Sequence, residues 1–140
     1  MNNGLLLDTH CWIWFELGHK GGFSPDALKL IETAAANGRL MLSAISVWEL
    51  GMLEAKGRIR LTMPCLEWVR LALETPGLAL EPLTPEIAIE SSRLPGNLHG
   101  DPADRILIAT CRQLKVRLLT GDSRILEYGA AGFIEAVPAR

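Results

Sequence analysis

Cysteine is scarce, and the residues present are not spaced to act together: Cys11, Cys65 and Cys111 form no CxxC pair. That excludes a disulfide framework and a cysteine zinc site, and fits a reducing compartment. Net charge is equally slight at -2, so nothing draws the whole molecule toward a polyanion. Any nucleic-acid binding has to rest on a local basic face or on metal ions. Long apolar runs are lacking too: Leu5-Leu6-Leu7 stops at Asp8, far short of the ~20 residues that cross a bilayer, and no basic segment precedes it. Neither secretion nor membrane embedding is expected, which leaves the cytoplasm. His10, His19 and His99 lack HxxxH spacing and read as structural or surface residues, and Ser43 and Ser46 have no base beside them. The turn after the first apolar run reads Asp8-Thr9-His10-Cys11, with no GxGxxG loop. These absences argue against zinc hydrolysis, a serine triad and dinucleotide binding.

What remains is a chain of 140 residues, 49% apolar and 21% charged, a length and balance that suit one domain over 1-140 with a substantial core. Short apolar runs alternate with helical stretches. Strands are expected at Gly4 to Leu7, Leu40 to Ala44, Leu78 to Leu80 and Val116 to Thr120, with Phe133 to Val137 as a fifth, edge strand. Between them lie helices over Thr9 to Leu17, Pro25 to Ala36, Val47 to Lys56 capped by Ser46, and Pro64 to about Leu73. Further helices open at Pro85 and at Asp101-Pro102, the latter running to about Leu114. Ile59 to Leu61 reads as a small extended piece. Such alternation implies an α/β fold, a central mostly parallel sheet of about four or five strands flanked by helices on both faces.

In open parallel sheets the ligand crevice lies beyond the carboxyl ends of the strands. Asp8 follows the first apolar run and Asp122 follows Leu118-Leu119-Thr120-Gly121, so both belong at that rim. Each is equally readable as the N-cap of the helix that follows. Glu49 lies at helical spacing from Ile45, Trp48, Met52 and Leu53, beside an apolar face where a carboxylate needs a cation or a hydrogen-bond network unless it reaches water. Asp101 suits an N-cap before Pro102, and Asp104 then projects from the first turn of that helix. Four carboxylates meeting at one rim repel one another, and that set predicts a metal.

Taken in order, Leu6-Leu7-Asp8-Thr9-His10, Ser43-Ala44-Ile45-Ser46-Val47-Trp48-Glu49-Leu50, Asp101-Pro102-Ala103-Asp104-Arg105 and Leu119-Thr120-Gly121-Asp122 resemble the PIN-domain pattern over nearly the whole chain. The closest likeness is to toxins of the VapC type. The resemblance implies a PIN-like fold, Mg2+ or Mn2+ in an acidic pocket, endonucleolytic cleavage of RNA, and a cognate antitoxin partner, with a homodimer as the expected assembly. It also implies that Asp8, Glu49, Asp104 and Asp122 occupy the family's acidic positions. Asp101 stands beside them in a secondary place, and Thr120 is carried over as orienting Asp122 or a metal-bound water.

Candidate phosphate contacts are Lys56, Arg58, Arg60, Arg105, Arg112, Lys115, Arg117 and Arg124, with Arg105 also placed to pair with a carboxylate. Trp12, Trp14, Phe15, Trp48 and Trp68 read as core, or as an apolar groove for a partner helix or a second copy. An aspartyl-phosphate phosphatase also carries an aspartate after its first strand, but the second carboxylate usual two residues later is here His10. The remaining alternative is a catalytically weak PIN module that binds RNA or protein.

Overall fold

The chain's computed structural model describes residues 4–98 and 100–140, so the expectation for His99 lies outside the described residues. Its sheet has five strands in the order β3-β2-β1-β4-β5, with every neighbouring pair parallel. The strands are β1 (Leu5–Leu7), β2 (Leu40–Ser43), β3 (Leu78–Glu81), β4 (Arg117–Thr120) and β5 (Ala136–Pro138). Among the described residues the α-helices are α1 (Thr9–Glu16), α2 (Pro25–Ala36), α3 (Ala44–Ala55), α4 (Cys65–Ala72), α5 (Pro85–Ser91), α6 (Pro102–Leu114) and α7 (Ser123–Ala130), with a single 3-10 turn at Lys20–Gly22.

Alternation along the central strands sorts the core into two layers, because successive side chains of a strand leave opposite faces of the sheet. Leu5, Leu7, Leu40, Leu42 and Leu119 join residues of α1, α2 and α4 on one face. Leu6 and Leu118 join Leu107, Ile108 and Ile125 of α6 and α7 on the other. Leu5, Leu6 and Leu7 are all 0% exposed, which is why the first strand reads as an uninterrupted apolar run.

Helix starts follow the capping chemistry of the sequence. Ser24 accepts the Ala27 N–H ahead of Pro25, and Thr84 accepts the Ile87 N–H ahead of Pro85. Three expectations are corrected. Ser46 does not cap α3; β2 ends at Ser43, whose hydroxyl accepts the Ile45 N–H and starts the helix three residues earlier. Ile59 to Leu61 forms no strand; Ile59 and Leu61 instead pack their side chains on the first core layer. The fifth strand begins at Ala136 rather than Phe133, because Phe133 and Ile134 turn into the second core layer and the pairing with β4 starts at Leu118 opposite Ala136.

One turn is set by glycine alone. Gly77 has φ +82, and a Cβ there would fall 1.9 Å from the carbonyl oxygen of Ala35, while its own carbonyl accepts the Leu40 N–H that begins β2. Gly57 has a similar φ of +70 with nothing within 4 Å of a Cβ. Gly77→Ala is therefore expected to lower the unfolding free energy by at least ~2 kcal/mol, whereas Gly57→Ala costs only the left-handed penalty of about 1 kcal/mol. Denaturant melts of the two variants check the difference, and equal losses would contradict it.

Candidate active site

Strand order reverses around β1: the chain moves to β2 and β3 on one side and returns to β4 and β5 on the other. The carboxyl ends of β1 and β4 therefore lie next to each other, at the place where open parallel sheets form a crevice. Asp8 leaves the end of β1 and caps α1, its Oδ1 accepting the His10 N–H at 2.9 Å. Its Oδ2 accepts the Thr120 hydroxyl at 2.6 Å. That hydroxyl oxygen in turn accepts the backbone N–H of Asp122 at 3.0 Å, so a buried threonine at the end of β4 joins the two aspartates. Asp8 is both cap and rim carboxylate, and the two readings of the sequence describe one geometry.

Asp122 caps α7, its Oδ1 accepting the N–H groups of Arg124 at 2.8 Å and Ile125 at 3.4 Å. The Arg124 guanidinium stands 3.5 Å from Oδ2. Burial pushes this carboxyl up, but the Arg124 N–H, the Arg124 side chain and the Ile125 N–H together outweigh it and hold Asp122 below the ordinary carboxylate range. Asp101 is exposed and caps α6, accepting the Asp104 N–H at 3.1 Å. Asp104, half-buried in the first turn of α6, rises beside it.

Glu49 comes from the second turn of α3. It shares a helix face with Ser46, three residues earlier. The Thr9 hydroxyl donates to Glu49 Oε1, and the Ser46 and Thr9 hydroxyl oxygens are 2.8 Å apart. Since the single Thr9 proton points at the carboxylate, Ser46 donates to Thr9. Ser46 and Thr9 are fully buried or nearly so, at 0% and 1% exposed, and the chain of hydroxyls supplies the network that a half-buried glutamate requires. Burial raises the Glu49 carboxyl above its usual range; the Thr9 bond opposes this, while the charges of Asp104, Asp8 and Asp101 push the same way as burial.

These side chains face one cleft of about 340 Å³, lined by Asp8, Glu49, Asp101, Asp104 and Asp122 together with His10, Trp14, Gly121 and Arg124. Carboxylate oxygens are the donors that hard divalent cations prefer. Among the described residues no three acidic, histidine or cysteine side chains stand close enough to form a ready-made coordination group, a spacing that mutual repulsion favours. Mg2+ keeps several of its waters and binds through one or two carboxylates, so this donor set fits such an ion.

The sequence reading missed Thr9, His10 and Trp14. Thr9 directly follows an aspartate at a strand end, a position whose hydroxyl faces the same crevice; His10 is exposed and lines the cleft. Ser46 belongs to the site's hydrogen-bond network and not to a cap. Arg105 donates from Nε to the Ser91 carbonyl at 2.9 Å, tying α6 to the end of α5, and Arg112 is held by Glu90 at 3.2 Å and the Phe133 carbonyl at 2.6 Å. Lys56 caps the C-terminus of α3, about 10 Å beyond Glu49 at the ~1.5 Å rise per residue, and Arg58 follows in the turn after it. Among the described residues Arg124 is the arginine or lysine that lines the cleft. Of the aromatic group, Trp12 and Trp68 pack edge to face in the core at 5.6 Å, whereas Trp48 is 52% exposed.

With this geometry in place, comparison with known proteins is informative. A family model described as PIN domain matches residues 5–131. The chain is 35% identical to Ribonuclease VapC22 of Mycobacterium tuberculosis over 124 residues, covering 89% of this chain and 91% of that protein. Its fold is similar to a chain of the VapBC2 structure from Rickettsia felis bound to a promoter DNA fragment, with TM-score 0.69, 14% identity and coverage of 97% and 98% of the two chains. A second similar fold is in DNA-bound VapBC from Salmonella typhimurium, with TM-score 0.64, 16% identity and coverage of 98% of each chain. A third is in FitAcB from Neisseria gonorrhoeae, at TM-score 0.60, 19% identity and coverage of 94% and 95%.

The raised pKa of Glu49 has a thermodynamic consequence. A carboxyl whose folded pKa lies above the unfolded value binds more protons in the native state, so its contribution to stability falls as pH rises through that interval and stays unfavourable above it. Without divalent cations, Glu49→Gln is accordingly expected to melt at a higher temperature than the unsubstituted chain at neutral pH. The difference should shrink as pH drops below the ordinary carboxyl value of 4.5. Thermal melts from pH 3 to 8 in chelator provide the measurement; a less stable variant at pH 7 would contradict the electrostatic account.

Proposed function

This chain belongs to the PIN-domain family, and from that membership we propose that it is a metal-dependent endoribonuclease of the VapC type, the toxin of a toxin-antitoxin pair acting in the cytoplasm. The observation that carries the proposal is the convergence of Asp8, Glu49, Asp101, Asp104 and Asp122 on one cleft at the strand ends, in a chain 35% identical to a ribonuclease over most of its length. Asp8, Glu49, Asp104 and Asp122 are the proposed catalytic and metal-holding residues. A bound Mg2+ or Mn2+ ion supplies charge neutralisation at the scissile phosphate and acidifies water.

The chain's own groups set the rest. Asp8 is held from both sides, by the His10 N–H and the Thr120 hydroxyl, so its orientation is settled before substrate arrives. Asp122 stays ionised through the first-turn amides of α7 and Arg124. Glu49, with its elevated proton affinity, is suited to orient the attacking water and take its proton at Oε2 while Oε1 accepts from Thr9. In-line attack on phosphorus leaves 5′-phosphate and 3′-hydroxyl ends. Thr120 acts through the Asp8 carboxylate it bonds, Asp101 through the Asp104 amide it caps, and Arg105 through the anchoring of α6.

A cognate antitoxin and a second copy of the chain belong to the same proposal. Trp48 on α3, Leu66 and Leu71 on α4 and Ile89 on α5 are each more than half exposed, apolar side chains that such partners would cover. No helix among the described residues is long and apolar enough to cross a membrane.

Purified chain should cut mixed RNA with Mg2+ or Mn2+ and lose that activity in chelator. Asp8→Asn and Asp104→Asn should each lower the rate at least ~100-fold while circular dichroism stays unchanged. Mg2+ should raise the melting temperature of the unsubstituted chain and not that of the double variant. Full cleavage by either single variant refutes the assignment, and absence of cutting by the unsubstituted chain leaves the binding-module alternative.

A further inference from the structure

A second cleft, of about 560 Å³, lies beside the acidic one and shares Arg124 with it. Its lining adds Gly96, Asn97, Leu98, Glu127, Tyr128 and Phe133, and its volume falls within the ~300–1,000 Å³ typical of ligand sites. Arg124, Glu127 and Tyr128 follow Asp122 on α7 with helical spacing, so one face of that helix leads from the carboxylates into the second cleft. The Arg124 side chain is 60% exposed and spends one edge on Asp122, leaving a planar fork suited to a phosphate oxygen.

The wall of this cleft is tied together by side-chain contacts between α7, the 95–98 loop and Phe133. The Tyr128 hydroxyl donates to the Pro95 carbonyl at 2.5 Å, and its ring stacks on Phe133 at 4.8 Å with a 28° tilt. Gly96, at φ +76, brings the loop so near that a Cβ would sit 2.5 Å from the Phe133 ring. The lining thus combines apolar surface from Leu98 and Phe133 with two polar side chains, the Asn97 amide and the Glu127 carboxylate. That combination matches an unstacked nucleobase, which offers a flat apolar face and a hydrogen-bonding edge. Glu127 accepts at two oxygens, and the Watson–Crick edge of guanine presents two adjacent N–H donors.

We propose that this cleft is a base-recognition subsite: it receives a guanine next to the scissile phosphate, with Glu127 and Asn97 reading its edge and Arg124 holding the phosphate between the two clefts. The inference rests on the nuclease reading of the acidic cleft for its position, and on the second cleft's own chemistry for its ligand. Continuity with a phosphate-cutting site through Arg124 favours a base over a peptide side chain.

Binding separates the two readings. Fluorescent RNA oligonucleotides differing at one position are titrated by anisotropy in Mg2+ against the Asp8→Asn chain, so that bound RNA stays intact. The guanine oligonucleotide should bind about tenfold tighter than its uracil counterpart, and Glu127→Gln in the same background should reduce that ratio to within about twofold. Arg124→Ala should weaken all oligonucleotides alike and flatten the salt dependence. Equal affinity for every base, or a preference that survives Glu127→Gln and Asn97→Ala, overturns the subsite and leaves the cleft to a protein partner. Metal-dependent cutting by the unsubstituted chain is scored separately. Base preference without cutting defeats the nuclease reading and keeps the subsite, whereas cutting with an unaltered preference defeats the subsite alone.

Discussion

Parallel pairing of β1 between β2 and β4 is the constraint on which the site depends. It places the ends of two strands more than a hundred positions apart in the chain side by side, as the Thr120 hydroxyl bonding Asp8 shows. Because each strand feeds directly into a helix, the residues at those ends must also satisfy the first amides of α1 and α7. Aspartate does both at once. The cap stabilises each helix by about 1 kcal/mol, and the carboxylate that forms it is delivered to the crevice without a separate device.

Such caps do not by themselves offset the crowding of like charge. The charges of Asp104, Asp8 and Asp101 all act on Glu49 in the same direction as its burial, and only the Thr9 bond opposes them. Two hydroxyl relays spread the load: Ser46 to Thr9 to Glu49, and the Asp122 amide to Thr120 to Asp8. Each relay joins segments from different elements, so the rim is a tertiary product whose members hold one another in place. Asp122 and Glu49 leave this arrangement with opposite pKa shifts, the first lowered by helix amides and Arg124, the second raised by burial and neighbouring charge. Neighbouring carboxyls of one cleft are thereby differentiated, which is the ordinary route by which environment gives two acids different roles.

Much of the fold was legible because its signals are local. Leu5-Leu6-Leu7 and Leu118-Leu119 are buried on both faces of the sheet, and a continuous apolar run is what such burial requires. Ser24-Pro25, Thr84-Pro85 and Asp101-Pro102 mark helix starts through chemistry confined to four residues. Misplacements occurred where local chemistry allows two answers. Ser43 and Ser46 are equally competent caps, and the end of β2, set by its pairing with β3 through Ser43 opposite Glu81, decides for Ser43. Phe133 and Ile134 are as apolar as a strand demands, yet they are recruited by α6, α7 and the second core layer.

The amino-acid sequence by itself determined the order of the five strands and the helices between them, the caps at Ser24, Asp101 and the strand-end aspartates, and the identity of the acids at the strand ends, since periodicity and capping act over a single turn or strand. Only the tertiary structure decided that Thr9 and Ser46 serve Glu49, that Thr120 grips Asp8, that Arg124 and not Arg105 enters the cleft, and that Trp48 faces outward while Trp12 and Trp68 do not. Those pairings depend on which strand lies beside which and on how α3 and α6 pack over the rim. Contacts between residues 37 to 112 positions apart leave no local trace in the chain that makes them.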